Sequence, residues 1–197
     1  MKIILASKSP RRSQLLQWAE IPFEIISFET NEDYPPGLSP EEVAMHIASN
    51  KALAVQSNLK TTDTNKSGYP ILAADTIVVC DNKIIGKPAD RTQAVDTLGK
   101  LSGKKHLVIT GVCICCKSYK NIFAETTEVE FNVLSGSQIE YYVDNYKPYD
   151  KAGAYAIQEW LGVVGIKSIK GDFYNVMGLP VNRVYKELIE LSKDLLK

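Results

Sequence analysis

Ten consecutive residues, Ile71-Leu72-Ala73-Ala74-Asp75-Thr76-Ile77-Val78-Val79-Cys80, constrain this chain more than any other segment. They are apolar at both odd and even positions, the pattern of a strand covered on both faces. One carboxylate, Asp75, sits in the middle. Buried in a strand, it needs hydrogen bonds, a cation or a metal. Any fold the chain adopts has to solve that problem.

The flanking sequence supplies further elements. Ile3 to Ala6 reads as a short buried strand running into Ser7-Lys8-Ser9-Pro10, where Ser9 is placed to cap a helix whose first residue is Pro10. Leu15, Leu16 and Ala19 give that helix an apolar side. A short strand near Phe23 to Ile26 and an acidic turn from Glu29 to Gly37 follow. Ser39-Pro40-Glu41-Glu42 is a capping box opening a helix to about Ser57. Residues 58 to 70 are polar and read as a surface connection. After the central strand, Asp81-Asn82-Lys83 turns the chain into Ile84-Ile85 as a hairpin, and a helix is expected from Arg91 to Leu101. His106 to Cys116 and Ile122 to Val133 are expected as two long strands around a turn at Lys117 to Asn121, a pair that could form a second lobe. A helix from Ser137 to Asn145, a strand at Gly162 to Ile169, and an amphipathic helix from Pro180 to Leu196 carrying Val184, Leu188, Leu191 and Leu195 complete the reading. Strands and helices alternate irregularly, with no internal repeat.

At 197 residues the chain fits one domain or two closely packed lobes. Its 23 basic and 23 acidic residues cancel, so no global field draws it to nucleic acid or to an anionic membrane. A polyanionic ligand has to be held locally. No secretory leader is visible, and no apolar stretch approaches the roughly 20 residues that span a bilayer, so a cytoplasmic protein without a membrane or nucleic-acid partner is expected. Cys80, Cys113, Cys115 and Cys116 form no CxxC pair and have no histidine at zinc-like spacing; they read as buried reduced thiols.

Several charges fit a purely structural reading poorly. Arg11 and Arg12 fall in the first turn of the helix after Pro10, where the helix dipole disfavours cations. They are either solvated on a surface turn or, with the hydroxyls of Ser7 and Ser9, part of a phosphate site. Lys51 lies in the middle of the arc formed by Val43, Ala44, Ile47, Ala48 and Val55, so it either snorkels at the core edge or meets an anion in a cleft. Glu32, alone, is a loop charge. Lys87 is presented from an extended segment by Pro88. The inventory is cations from separate elements around one or two carboxylates, with no serine or cysteine paired to a histidine base and no Walker loop. Phosphate chemistry suits it: carboxylates favour Mg²⁺ or Mn²⁺, and Lys and Arg stabilise phosphoryl oxygens during attack by water.

The motifs Leu5-Ala6-Ser7-Lys8-Ser9-Pro10-Arg11-Arg12, Ala73-Ala74-Asp75-Thr76-Ile77-Val78, Gly86-Lys87-Pro88, Asp150-Lys151-Ala152-Gly153-Ala154-Tyr155-Ala156-Ile157-Gln158 and Gly178-Leu179-Pro180 occur in order along nearly the whole chain. In these the chain strongly resembles the Maf family of nucleotide pyrophosphatases. The resemblance implies one Maf-like domain over residues 1–197, an α/β fold with an elongated mixed β-sheet and flanking helices, two lobes and a central cleft, similar to the inosine triphosphate pyrophosphatases. It implies metal-dependent hydrolysis of a nucleoside triphosphate to the monophosphate and pyrophosphate, and allows a homodimer. Asp75 would be the proton acceptor or a metal ligand, Glu32 its carboxylate partner, and Arg12, Lys51 and Lys87 the phosphate clamp. Arg11, Thr76 and Gln158 match the subgroup acting on dTTP and UTP. The chain departs from common family patterns at Asn31, Lys147 and Glu159. A non-enzymatic, nucleotide-binding regulator of septum formation or division is the competing expectation. Asp75 and Thr76 point to opposite faces of a regular strand, so shared service to one ligand would need the strand to end or bulge there.

Overall fold

The computed structural model describes residues 1–62, 66 and 68–195. In chain order the elements are β1 (Ile3–Leu5), α1 (Pro10–Trp18), β2 (Phe23–Ile25), α2 (Pro40–Thr62), β3 (Ile71–Cys80), β4 (Lys83–Ile85), α3 (Arg91–Leu101), β5 (Lys105–Cys116), β6 (Tyr119–Phe131), α4 (Gly136–Tyr146), a 3₁₀ turn at Ala152–Ala154, α5 (Trp160–Gly165), β7 (Ile166–Lys170), α6 (Phe173–Val176) and α7 (Val181–Leu195). Among the described residues seven strands form one mixed sheet in the order β2-β1-β3-β5-β6-β7, with β4 paired to β3. The fold is therefore α/β with helices flanking a mixed sheet. No helix among the described residues is long and apolar enough to cross a membrane.

Contacts divide the chain into two compact units. The first comprises Met1–Asp75, Thr110–Glu125 and Gly178–Lys197; the second comprises Thr76–Ile109 and Thr126–Met177. The β5–β6 hairpin, a candidate second lobe from the sequence, is shared between the units.

In the first unit β1 pairs in parallel with β2 on one side and β3 on the other, with Leu5 opposite both Ile25 and Leu72. The chain thus changes direction across the sheet at β1, and β1 ends while β3 continues. Asp75 lies three residues beyond Leu72, past the carboxyl end of β1. α2 covers this part of the sheet with Ala48, Ala52, Val55 and Leu59, packed with Ile4, Ala6, Ile71, Ala73, Cys113 and Cys115. The approach is close. A Cβ on Gly111 of β5 would stand 2.2 Å from the carbonyl carbon of Ala44, so only glycine fits under the helix.

The second unit has its own core, in which Val78, Leu98, Leu101, Val108, Phe131, Ile139, Tyr142 and Leu161 are among the buried residues. His106 belongs to this interior. Its Nε2 is 2.7 Å from the Tyr155 hydroxyl, its ring meets Phe131 edge-on, and its Nδ1 has no hydrogen-bond partner among the described residues. Burial pushes its pKa down to about 4.

The expected elements are present with shifted boundaries. α2 runs to Thr62, beyond the expected Ser57, and part of the polar connection, residues 63–65 and 67, lies outside the described residues, as does Leu196 at the end of α7. β5 and β6 close around a shorter turn at Lys117 and Ser118, with Lys117 at φ 53°. The strand expected at Gly162 to Ile169 is corrected: Trp160–Gly165 is helical, and the strand is Ile166–Lys170. β-branched Val163 and Val164 carry the strand signal, but Glu159 O accepts from the N–H groups of Gly162 and Val163 and starts a helical turn. Ser9 stands at the N-cap of α1 as expected, yet its side chain makes no capping bond. All four cysteines are buried, and none forms a disulfide.

Two outcomes follow from these cores. Gly111→Ala drives a methyl into the α2 backbone and is expected to cost at least about 1–3 kcal/mol in denaturant unfolding. For His106, the folded protein resists the proton that the unfolded chain accepts near pH 6.5, so stability is full above that value and is lost as the pH falls toward about 4. The loss amounts to about 3 kcal/mol at roughly 1.4 kcal/mol per pKa unit. His106→Phe should flatten the stability profile across that window, as read from urea midpoints between pH 4 and 7.

Candidate active site

Lys51 stands on α2 because the capping box at its start sets the helix in place. The Glu42 N–H donates to Ser39 Oγ at 3.2 Å, and Glu42 Oε2 accepts from the Ser39 N–H at 2.8 Å. On the resulting face Val43, Ala44, Ile47, Ala48 and Val55 are buried, and Lys51 sits half-buried among them. Its ammonium neither snorkels to water nor lacks a counter-ion. Nζ donates to Asp75 Oδ1 and to Glu32 Oε1, both at 2.7 Å. The Asp75 side chain is 11% exposed and that of Glu32 is 50% exposed, so the pair with Asp75 is the more desolvated one. The buried carboxylate of β3 is thereby satisfied by the cation at the centre of the apolar helix face.

Arg12 adds a second cation to the same unit. It is buried; its Nε donates to the Gly178 carbonyl at 2.8 Å and its Nη1 to Ser7 Oγ at 3.0 Å. Gly178 has φ 110°, a backbone conformation suited to glycine, and this aims its carbonyl as the chain enters α7. Burial pulls the Arg12 pKa below its ordinary value, and Asp75 pushes back, with smaller effects of Arg11 downward and Glu32 upward. The guanidinium stays charged because arginine starts so high. Its place in the first turn of α1, unfavourable by the helix dipole, is offset by the two carboxylates.

Ser7 Oγ accepts from both Arg12 Nη1 and the Ser9 N–H, the latter at 3.3 Å. No acceptor for its own hydroxyl proton is present among the described residues. The first unit thus brings together Ser7, Arg12, Glu32, Lys51 and Asp75, with Ser9 and half-exposed Arg11 on the adjoining turn. They lie past the carboxyl end of β1, at the strand where the order β2-β1-β3 switches sides, the position at which open α/β sheets bind ligands. Thr76, Lys87 and Gln158 belong to the second unit. β3 is continuous through residues 75 and 76, so it does not end at this point. Thr76 is half-buried, whereas Lys87 and Gln158 are exposed on loops.

Sequence reasoning missed the Gly178 carbonyl and the acceptor role of Ser7. Gly178-Leu179-Pro180 marks a turn, but nothing local says that an arginine 166 positions away will bind it. It also left open how Lys51 is satisfied. Replacing an unpaired ammonium by Met would be neutral or stabilising, but here Lys51→Met strands the buried Asp75 carboxylate. Lys51→Met is expected to cost about 1–3 kcal/mol, and Lys51→Met with Asp75→Asn less than the two separate effects combined. A double-mutant cycle in urea checks this coupling.

The family model of Maf-like proteins matches residues 2–191. Relatives named dTTP/UTP pyrophosphatase include those of Cytophaga hutchinsonii, 50% identical over 94% of this chain and 82% of the relative, and of Porphyromonas gingivalis strain ATCC 33277, 46% identical over 98% and 96%. That of Bacteroides fragilis strain YCH46 is 44% identical over 96% of both chains. Among solved structures the Staphylococcus aureus Ham1 protein is similar at a TM-score of 0.43 and 12% identity, over 66% of this chain and 72% of that one. With its ordered motifs and this near-complete match, the chain belongs to the Maf family.

Proposed function

We propose that this protein is a nucleoside triphosphate pyrophosphatase that hydrolyses dTTP and UTP to the monophosphate and pyrophosphate, clearing the cytoplasmic nucleotide pool. The relatives carrying that name cover nearly the whole chain at 44–50% identity. The single observation that carries the chemistry is the Asp75–Lys51–Glu32 cluster beside Arg12.

Asp75 is the proton acceptor. It takes a proton from a water whose oxygen bonds to the α-phosphorus while the bridging bond to the β-phosphate breaks and pyrophosphate leaves. Lys51 fixes the position of that carboxylate before substrate arrives, and its ammonium can then turn one donor toward a phosphoryl oxygen. Arg12 supplies fixed positive charge, although two of its donors are already committed to Gly178 and Ser7. Ser7 and the turn at Ser9 complete the phosphate contacts of the first unit. The phosphate role of Lys87 and the base-reading roles of Arg11, Thr76 and Gln158 rest on the family resemblance.

The donor set suits a hard divalent cation. Asp75 and Glu32 each place an oxygen 2.7 Å from the same Lys51 nitrogen, so two carboxylates face one position. Among the described residues no group of three or more His, Cys, Asp or Glu could form an all-protein cage. Two carboxylates completed by water and substrate phosphates is the usual Mg²⁺ arrangement. Mg²⁺ or Mn²⁺ held there by Asp75 and Glu32 would offset charge on the phosphoryl oxygens.

Pyrophosphate release from a nucleotide panel with Mg²⁺ or Mn²⁺ tests this reading. Turnover of dTTP and UTP is expected to exceed that of GTP and ATP, and Asp75→Asn and Glu32→Gln each to lower kcat at least about a hundredfold without loss of fold. Nucleotide binding with no pyrophosphate release would favour a regulator over an enzyme.

A further inference from the structure

Gln158, assigned above to base reading, is carried on a tight turn of the second unit, and that turn is fastened by one phenol. The N–H of Glu159 donates to the Ala156 carbonyl at 3.2 Å, closing a turn with Ile157 and Gln158 at its corner. Tyr142 of α4 is wholly buried, and its hydroxyl contacts both ends. It accepts from the Ala156 N–H at 3.1 Å and donates to Glu159 Oε2. Glu159 occupies the N-cap of α5, but its carboxylate makes no capping bond, so its orientation answers to other partners.

The second such partner is Lys151. Its side chain is 9% exposed, with Nζ 3.5 Å from Glu159 Oε1 and 2.8 Å from Asp150 Oδ1. A nearly buried ammonium requires this counter-charge, so Lys151 and Tyr142 together hold the Glu159 carboxylate. On the far side, a Cβ at Gly162 would lie 1.8 Å from the Ile157 carbonyl oxygen, so the first turn of α5 presses directly on the corner. Gln158 is exposed while the residues on either side are tied down.

We propose that Tyr142 and Glu159 act as a latch that positions Gln158, making them specificity-determining positioning residues for the nucleotide base. This rests on the reading of Gln158 as a base contact. A carboxamide can present a donor and an acceptor in a defined direction only if its backbone is fixed, and discrimination by hydrogen bonds falls steeply once polar groups misalign. Loosening the turn therefore lowers selectivity more than turnover.

The experiment uses the full-length protein and the variants Tyr142→Phe, Glu159→Gln, Gln158→Leu and Tyr142→Phe with Gln158→Leu. The kcat/KM ratio of dTTP to GTP is measured with amide hydrogen exchange of the segment 153–160 in the free protein. Tyr142→Phe and Glu159→Gln are each expected to lower the ratio about tenfold, and the double variant to fall no further than Gln158→Leu alone. Exchange in 153–160 should quicken in Tyr142→Phe, where the Ala156 amide loses its acceptor. A general loss of stability would reduce both substrates alike and leave the ratio in place. An unchanged ratio in Tyr142→Phe and Glu159→Gln, with Gln158→Leu still lowering it, overturns the latch and leaves the reading of Gln158 standing. An unchanged ratio in Gln158→Leu overturns both. Glu159→Gln, which preserves shape, decides the matter if Tyr142→Phe does not fold.

Discussion

The first unit is organised around a charge that cannot be left alone. Asp75 lies in a strand buried along its length, and a carboxylate there is tolerated only beside a cation. Lys51 is that cation, and it arrives from the middle of an otherwise apolar helix face. Each charge makes the other's burial affordable. The half-exposed Glu32 gives the ammonium a second acceptor and leaves the cluster open to an incoming ligand. For the contact to form, α2 has to sit directly on the sheet, which it does over Gly111 and through Ala48 and Ala52. Small residues on the helix and the sheet thus set the separation of Lys51 and Asp75.

Topology then decides where the cluster opens. β1 is short and β3 long, and β1 is the strand at which the parallel neighbours switch sides. The main chain leaves the sheet at Ser7 just where Asp75 continues along β3. The helix that follows brings Arg12 close enough to feel the charge of both carboxylates. Its guanidinium is held by Ser7 and by the Gly178 carbonyl, so the cation is part of the framework before any ligand binds, as preorganised electrostatic stabilisation requires.

Much of this was legible in the residues. The apolar run around Asp75, the capping box at Ser39 and the arc around Lys51 predict the buried strand, the start of α2 and a cation facing the interior, because periodicity and capping are local properties. The short helix at Trp160–Gly165 was not legible. Val163 and Val164 carry strand propensity, and what overrides it is a set of hydrogen bonds to Glu159 O together with the close packing of Gly162 on Ile157. Ser9 is a capping residue by type, yet its N–H binds Ser7 instead, and that choice belongs to the arrangement around Arg12.

By itself the sequence determined which residue types sit on each face of the strongly periodic elements, and with its ordered motifs, the family. Only the tertiary structure decided partners. Lys51 is 24 positions from Asp75 and 19 from Glu32, Arg12 is 166 from Gly178, and the Tyr142 hydroxyl closes a turn whose carboxylate is 17 positions on. A sequence shows that a buried charge needs a partner, because desolvation is a property of the group and its periodic surroundings. Which partner meets it depends on how the elements pack, and that is settled by the closure of the whole core rather than by any local stretch of chain.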